Sequence, residues 1–421
     1  MGHSSNNLIL ATALGVVAGL ALPPVVRRIQ SSAKRNRNED TTHAVRSGLS
    51  SDSSVRIDRA KLDKLMSRII QHAGNCTKAK ADLVANVLTY ADSRGIPSHG
   101  ANRCDTYVNE LAAGLVDGTL DPIVESCSGA CAVINGRNGL GAVTAELAMT
   151  TALKLATNYG VSVVTCHSSN HYGAAGYWAK MALDQNMIGM SFTNTSPFVV
   201  PTGGKTRALG TNPFCFFAPA GADANGGDNF QLDMATPVVP IGKVEVMNRI
   251  GQPVPLGWGV DGEGKDCTDS TVICKHGGLY PLGGGAETAG YKGYGLGMFV
   301  EILCAVLSGA AIGPDVQPWN LARDGDVNYG HCFIVIDPAR FMDGFEDRLR
   351  DFLNRMRGLP GNVKVAGDPE KEFEKDAAKH GIPLHENVAA TLKVLAVRYD
   401  VPVPVELERL DEKKSKASLY A

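Results

Sequence analysis

The sequence predicts an α/β protein in which a central mixed sheet without a Rossmann turn is flanked by a helical domain built from both chain ends. Three observations support this prediction. Apolar residues recur at helical spacing from residue 55 to about 114 and again beyond residue 341. Short apolar runs typical of strands alternate with helical patterns between these regions. The glycine pattern G-x-G-x-x-G, placed directly after a strand in Rossmann sites, is missing.

The chain is accordingly divided into four segments. Residues 1–54 form an apolar N-terminal segment and a flexible basic tether, and residues 55–125 form the first part of the helical domain. Residues 126–340 form the α/β domain, and residues 341–421 form helices that return to the helical domain. Asp58 is expected to cap the first helix, because it precedes an apolar helical pattern, and a second helix is expected to start near Thr77.

The remaining elements follow from the same periodicities. We expect strands at Val161–Cys166, Ile188–Thr193, Pro213–Ala218, Phe230–Met234 and Cys332–Asp337, and helices at about 141–158, 174–186, 291–310, 344–356, 370–380 and 384–400.

Composition and charge exclude several classes of protein. The 421 residues carry a formal net charge of -2, so no overall field attracts nucleic acid, and we expect no nucleic-acid partner. The ten cysteines include no C-x-x-C pair, which argues against zinc ribbons and thioredoxin-type sites and favours a reduced compartment. No metal-binding motif is present, and we expect no metal.

The N-terminal segment differs chemically from the rest of the chain. Residues 8–26 are uncharged and long enough for a short membrane-spanning helix. Arg27 and Arg28 follow this run, which would leave the catalytic domain on the cytoplasmic side. A single-pass N-terminal membrane anchor, a cleaved targeting segment and a disordered apolar tail all remain open interpretations.

Residues 92–103 place an acid, hydroxyls, an imidazole and two guanidinium groups within twelve positions. If Arg103 lies in the first turn of the next helix, Ser98 and His99 share a face with it. An Arg fork would then hold a carboxylate while an imidazole moves a proton. The alternative is a Ser-His helix cap with Arg103 on the surface.

Two further segments carry groups suited to catalysis or binding. His171 lies in a polar stretch that follows a predicted strand, where ligands often bind in α/β sheets. An ordinary turn rich in Asn and Gly is the alternative. Lys292 begins the long apolar helix, where backbone N–H groups collect and phosphate can bind. A solvated lysine at a helix start is the alternative there.

Together these segments resemble one family, the malate/L-lactate dehydrogenases that are distinct from Rossmann-type enzymes of similar name. Its relatives include sulfolactate, ureidoglycolate and diketogulonate dehydrogenases or reductases. The matching motifs, in the family's order, are Asp92–Arg103 (DSRGIPSHGANR), Ser169–Gly173 (SNHYG), Gly210–Pro213 (GTNP), Leu232–Thr236 (LDMAT), Gly290–Leu296 (GYKGYGL) and Leu359–Gly361 (LPG) with Gly381–Leu384 (GIPL). They extend over nearly the whole body of the chain.

The resemblance implies a homodimer that uses NAD or NADP, binds the cofactor in its α/β domain and has its active site where subunits or domains meet. By residue, it implies that Ser98, His99 and Arg103 form the substrate and proton-transfer motif, with His171 as the second active-site histidine. The implied cofactor contacts are Thr195 or Ser196, Asp233, Met234, Tyr291, Lys292, Pro360 and Gly361. Two departures stand out: residues 1–54 have no counterpart in typical members, and Asn362 replaces a commonly acidic residue.

We therefore hypothesise reversible hydride transfer between C4 of nicotinamide and C2 of a small 2-hydroxy/2-oxo acid of the malate or lactate type. Arg103 clamps the carboxylate, Ser98 and His99 orient the substrate oxygen, and His171 is favoured over His99 as the general base. Two alternatives stay open. One is a cyclic imino acid reductase on the same scaffold, and the other is an inactive membrane-tethered pseudoenzyme.

Overall fold

Helices form the first layer of the described chain. They are α1 (Arg59–Gly74), α2 (Lys78–Ser93) and α3 (Cys104–Ala112). The side chain of Asp58 accepts a hydrogen bond from a first-turn backbone amide, as predicted. Thr77, near which the second helix was predicted to start, caps α2 in the same way. The apolar faces of α1 and α2 pack against each other and form one side of the main hydrophobic core.

The computed structural model describes residues 54–221, 228–249, 251–319 and 325–415, which belong to one compact unit. The apolar run at residues 8–26, with the anchor or targeting role predicted for it, lies outside the described residues. None of the helices within the four ranges is long and apolar enough to span a bilayer.

Strands from the centre of the chain build the sheet. In chain order they are β1 (Ser54–Ile57), β2 (Ile123–Ser128), β3 (Cys131–Asn135), β4 (Val161–Ser169), β5 (Ile188–Thr193), β6 (Phe214–Pro219), β7 (Asn229–Met234), β8 (Gly259–Val260), β9 (Asp266–Cys267), β10 (Gly278–Leu279), β11 (Tyr329–Ile336) and β12 (Ile382–His385). Within the described ranges, the main sheet has seven strands in the order β2-β3-β4-β11-β5-β6-β7. Only β3 and β4 run parallel in it, so the sheet is mixed as predicted.

Helices also pack against this sheet. In chain order the remaining helices are α4 (Gly141–Tyr159), α5 (Ala175–Leu183), α6 (Ile241–Arg249), α7 (Ser270–Lys275), α8 (Tyr291–Glu301), α9 (Phe345–Arg357), α10 (Asp368–His380), α11 (Glu386–Arg398) and α12 (Val405–Glu408). Among them, α4 packs on β3, β4 and β11, and α5 packs on β5 and β6. The α4 helix connects the parallel strands β3 and β4, which is the usual crossover for a parallel pair. The α/β class predicted from the sequence is confirmed.

The sequence did not predict the strands β1, β2, β3, β8, β9, β10 and β12 or the helices α6 and α7. Two of the departures have an evident local reason. The β2–β3 hairpin was not predicted, because β2 is an edge strand exposed along its whole length and lacks an apolar alternation. The helix predicted at 291–310 is regular only to Glu301 and then widens into a π-helical turn at Ile302–Val306. At this turn the carbonyl of Cys304 lies so close to Gly330 of β11 that no side chain would fit there.

Both ends of the described chain meet. The β1 strand pairs with β12 in a separate two-stranded sheet, and α11 packs against α1 and α3. This pairing is the contact expected if the C-terminal helices return to the N-terminal helical layer. The boundaries at residues 125 and 340 stay a prediction.

An ion-pair cluster joins the edge strand β7 to the C-terminal helices. Burial would raise the pKa of Asp228, but hydrogen bonds from Arg357 and Lys371 outweigh it and lower the pKa to about 2. Arg357 also pairs with Asp368 at 2.7 Å, so one guanidinium bridges β7, α9 and α10. The partly buried position strengthens these pairs relative to exposed ones.

We predict that Asp228→Asn lowers the free energy of unfolding at pH 7 by about 1–2 kcal/mol. Because the folded pKa lies below the unfolded value, this stabilisation is present above pH 4 and is lost as the pH falls towards 2. Denaturant unfolding from pH 7 to pH 3 should therefore show a smaller acid loss in the variant. Asp351→Asn, which removes an exposed pair with Arg355, is the control and should match the wild type. Equal behaviour of the two variants would contradict the prediction.

Candidate active site

The turn between α2 and α3 presents Ser98, His99 and Arg103. Asp92, near the end of α2, accepts a hydrogen bond from the backbone amide of Ala101 at 2.7 Å. Burial raises the pKa of this carboxyl to about 7. A Cβ atom at Gly100 would lie 1.9 Å from Oδ1 of Asp92, so only glycine fits here. The buried carboxyl and the glycine together set the path of the turn.

Short contacts within the turn fix the three predicted side chains. Nε of Arg103 donates to the carbonyl oxygen of Ser98 at 2.6 Å. The Ser98 hydroxyl lies 3.0 Å from Nδ1 of His99. Arg103 is buried, whereas Ser98 and His99 are partly exposed. The turn therefore exposes the hydroxyl and the imidazole, while the buried guanidinium stays fixed.

His171 joins this group from the end of β4. The preceding residue, Asn170, donates from Nδ2 to Oδ1 of Asn138 and to the carbonyl of Gly139, both at 2.9 Å, and so anchors the loop. The rings of His99 and His171 are stacked, with centroids 5.6 Å apart. The structure therefore brings His171 to Ser98, His99 and Arg103, although it lies more than sixty positions beyond them in the sequence.

The electrostatics of the cluster keep both imidazoles neutral near pH 7. Burial, reinforced by the guanidinium of Arg103, lowers the pKa of His99 to about 3. Burial, His99, Arg103 and His331 together hold the pKa of His171 well below its usual range. A neutral imidazole has one nitrogen that donates a hydrogen bond and one that accepts, so it can act as a general acid or a general base.

Three side chains missed as site residues by the sequence analysis complete the cluster: Tyr107, Glu110 and Trp319. The Tyr107 hydroxyl lies 2.6 Å from Nδ1 of His171. The Trp319 ring stacks on His171 with centroids 4.2 Å apart and planes 12° apart, and its Nε1 donates to Glu110 at 2.9 Å. Arg103 places its guanidinium 5.3 Å from the same indole ring.

The sequence held a signal for two of these residues. Positions 103, 107 and 110 recur at helical spacing, so their side chains share one face at the start of α3. Trp319 has no comparable signal, because it comes from the connection between α8 and β11. The Ser196 hydroxyl stabilises that connection by donating a hydrogen bond to the carbonyl oxygen of Gln317 at 2.6 Å.

A third histidine, His331, lies next to the cluster and is fully buried in the core. Thr193 donates its hydroxyl proton to backbone carbonyls, so its Oγ1 accepts from Nδ1 of His331 at 2.8 Å. Nε2 of His331 then accepts from Ser169, also at 2.8 Å. Tyr172 stacks on this ring, and burial lowers the pKa of His331 to about 3. His331 is therefore a neutral core residue with both ring nitrogens bonded.

The predicted cofactor residues lie at separate places. Asp233 and Met234 end β7, and Oδ2 of Asp233 accepts from the amide of Gly176 at the start of α5. Asp233 also lines a cleft of about 690 Å³, counting its open mouth. Other polar residues lining that cleft are Tyr90, Arg94, Gln231, Lys364 and Glu370.

The remaining predicted contacts differ in exposure. Tyr291 and Lys292 begin α8 with exposed side chains, and Pro360 and Gly361 lie exposed between α9 and α10. Thr195 is partly exposed, and its Oγ1 accepts from the amide of Thr211 at 3.0 Å. Ser196, in contrast, is buried and bonded to Gln317 and Tyr329.

Known proteins share this architecture. A family model described as malate/L-lactate dehydrogenase matches residues 57–393. The chain is 36% identical over 364 residues to a malate dehydrogenase from Pyrococcus horikoshii, covering 84% of this chain and 98% of that one. It is 29% identical over 348 residues to a Δ1-pyrroline-2-carboxylate/Δ1-piperideine-2-carboxylate reductase from Pseudomonas putida, covering 82% and 98%. The crystal structure of malate dehydrogenase from Entamoeba histolytica matches with a TM-score of 0.78 at 29% identity, covering 83% and 99%. The family resemblance is confirmed.

We predict that Gly100→Ala lowers the free energy of unfolding by about 2–4 kcal/mol, because the new methyl group displaces the buried Asp92 carboxyl from its amide. Gly114→Ala is the control. Gly114 is also a turn glycine, with φ +71°, but no atom lies within 4 Å of the added carbon. Its cost should be the left-handed backbone alone, about 1 kcal/mol. Equal losses in thermal or denaturant unfolding would argue against the Asp92 contact.

Proposed function

The chain belongs to the malate/L-lactate dehydrogenase family of NAD(P)-dependent oxidoreductases, and on that premise we propose that it acts on a small 2-hydroxy/2-oxo acid of the malate or lactate type. The observation that carries this proposal is the meeting of Ser98, His99, Arg103 and His171 in one cluster. A carboxylate clamp beside two neutral imidazoles suits a substrate that carries both an acid group and an oxygen to be protonated.

Arg103 is the proposed carboxylate clamp. Its Nε bond to the Ser98 carbonyl and its position over the Trp319 ring fix the plane of the guanidinium. A guanidinium of fixed plane can receive a carboxylate through two parallel hydrogen bonds, which sets both the charge and the orientation of the substrate.

His171 is the proposed proton-transfer residue. It lies partly exposed between His99 and the Tyr107 hydroxyl, so one ring nitrogen is bound to the protein while the ring remains within reach of a substrate. Ser98 and His99, which contact each other, are proposed to orient the substrate oxygen. The proton moves to His171 in oxidation and back to the substrate in reduction.

The described residues fit a nicotinamide dinucleotide. The cleft beside Asp233 also carries Arg94 and Lys364, whose positive charges suit a phosphate-bearing cofactor. The Lys292 side chain lies exposed in the first turn of α8, where its positive charge suits a phosphate. Of the two hydroxyls considered, we favour Thr195, because the protein already uses Ser196 internally. Bound NAD(P) supplies the hydride donor or acceptor at C4. Met234, Tyr291, Pro360 and Gly361 stay proposed contacts.

A second candidate substrate is a cyclic imino acid. The relative from Pseudomonas putida is named as a reductase of such compounds. The same clamp and proton donor would serve a C=N bond next to a carboxylate, so the cluster alone does not separate the two substrates. Protonation of the substrate nitrogen would replace protonation of the keto oxygen.

We also propose that the protein is a homodimer that pairs through α8. The exposed apolar residues Met298, Ile302 and Val306 recur every four positions on this helix and its π-helical extension, and each is 42–56% exposed. Phe299 and Leu307 flank them with similar exposure. An apolar stripe of this kind on a folded domain marks an interaction surface, and a two-fold axis lets one stripe cover itself.

The proposed location is the cytoplasmic side of a membrane. The support is the order of the N-terminal segment, in which the uncharged residues 8–26 precede Arg27 and Arg28. Anchoring through this run and its removal as a targeting segment are both compatible with the proposal.

We predict that His171→Ala lowers kcat by about 100-fold or more, because the substrate loses its proton partner. The assay follows NADH and NADPH oxidation against pyruvate, oxaloacetate and a cyclic imino acid, and NADH fluorescence checks that the cofactor still binds. His72→Ala, on α1 and away from the cluster, is the control. Turnover of the imino acid alone would replace the proposed substrate class, and near-wild-type turnover of the variant would reject His171.

We predict that Ile302→Asp converts the dimer into a monomer, because two buried aspartates would face each other across the two-fold axis. Analytical ultracentrifugation of the full chain measures this directly. Val397→Asp places the same charge on an exposed position of α11 and should leave the dimer intact. A dimer in both variants would show that another surface forms the contact.

A further inference from the structure

We infer that Tyr107 is a positioning residue for proton transfer, which holds His171 in the tautomer that carries its proton on Nε2 and resupplies Nδ1 as that proton leaves. The inference rests on the proposed role of His171 and adds a partner that acts through it. It starts from the two groups that contact Nδ1.

Nδ1 of His171 has two neighbours with different donor properties. The Tyr107 hydroxyl lies 2.6 Å away, and the backbone amide of Gly173 donates to the same nitrogen at 3.3 Å. A backbone N–H can only donate, so Nδ1 must present its lone pair there. The hydroxyl that shares this lone pair therefore donates as well, and the single proton of the neutral ring lies on Nε2.

The ring is held in this orientation by stacking. Trp319 lies parallel to His171 at 4.2 Å, and its own plane is fixed by the Nε1 bond to Glu110. Turning the imidazole over would put Cδ2 in the place of Nδ1, breaking both hydrogen bonds at Nδ1. The amide of Gly173 is part of the loop anchored by Asn170, so this donor cannot follow the ring.

This tautomer determines which protons move during the reduction. As hydride adds to C2 of a 2-oxo acid, the keto oxygen becomes an alkoxide and takes the proton from Nε2. The bond between Tyr107 oxygen and its proton breaks as that proton moves to Nδ1, so the imidazole stays neutral and a phenolate remains, which solvent protonates. Oxidation runs the same transfers backwards. An alkoxide is a stronger base than a phenolate, so the transfer runs downhill.

The charged and titratable groups around His171 favour this route over a cationic ring. Arg103 and Glu110 face it from α3, His99 from the preceding turn and His331 from β11. Burial opposes an imidazolium, and the positive charge of Arg103 adds to this until a substrate carboxylate pairs with it. The Nδ1 proton of an imidazolium would also point at the Gly173 amide. Burial also raises the pKa of Tyr107, so the phenol is intact before each turnover.

Tyr107→Phe tests the inference, because it removes one oxygen and keeps the ring. We expect kcat for 2-oxo acid reduction to fall roughly 10-fold or more with KM nearly unchanged. The wild type should reduce at a constant rate from pH 6.5 to 9. In the variant the proton must come from an imidazolium, so kcat should fall about 10-fold per pH unit over that range. Tyr172→Phe, which removes an equally buried hydroxyl bonded to Ser191, is the control and should keep the wild-type pH profile.

A spectroscopic readout separates this inference from the proposed activity. In the full chain with ¹⁵N-labelled histidine, the His171 signals, assigned by their loss in His171→Gln, should show a protonated Nε2 and an unprotonated Nδ1. Tyr107→Phe should give a mixture of tautomers. A wild-type ring protonated on Nδ1, or an unchanged kcat and pH profile in Tyr107→Phe, would overturn the inference even if the enzyme turns over. Absence of turnover in the wild type would reject the function, and the tautomer would still be tested.

Discussion

The packing of one face of α3 against His171 and Trp319 holds the active site together. Arg103, Tyr107 and Glu110 are spaced so that the helix presents them side by side, and each meets one of the two stacked rings. The proposed carboxylate clamp and the proposed proton-transfer residue therefore form one packed unit through the contacts of α3 with His171 and Trp319.

Burial gives this unit its electrostatic character. The two site histidines and His331 are all held neutral by desolvation, which leaves Arg103 as the positive charge of the cluster. A carboxylate bound to Arg103 would cancel the repulsion that lowers the pKa of both His99 and His171. Substrate binding and proton affinity are thus coupled through one guanidinium. The same guanidinium disfavours protonation of the rings before the substrate arrives, which keeps the empty site in a single charge state.

The fold places the candidate catalytic residues and the proposed cofactor contacts on different elements, so no single Rossmann turn holds them. In the strand order of the sheet, β4, which ends just before His171, is next to β11, and β11 separates it from β5. The β7 strand forms the far edge of the sheet and lies beside the Asp233 cleft. The cofactor contacts proposed here come from β7, α8 and the α9–α10 connection rather than from one glycine-rich loop. The Arg357 cluster ties β7 to α9 and α10, so the edge strand that forms one wall of the cleft is fixed to the C-terminal helices.

The sequence by itself determined the type of most of the longer elements, the helix cap at Asp58 and the motifs at residues 98–103 and 171, because these depend on local periodicity and on side chains close in the chain. It also carried the family resemblance. Only the tertiary structure decided which distant groups complete the site. Trp319 reaches His171 across 148 positions, and no local pattern encodes that contact. The edge strand β2 escaped prediction for a related reason, since its pairing with β3 rather than an apolar alternation makes it a strand. The tautomer of His171 likewise depends on a hydroxyl from another helix, a choice that exists only once the chain is folded.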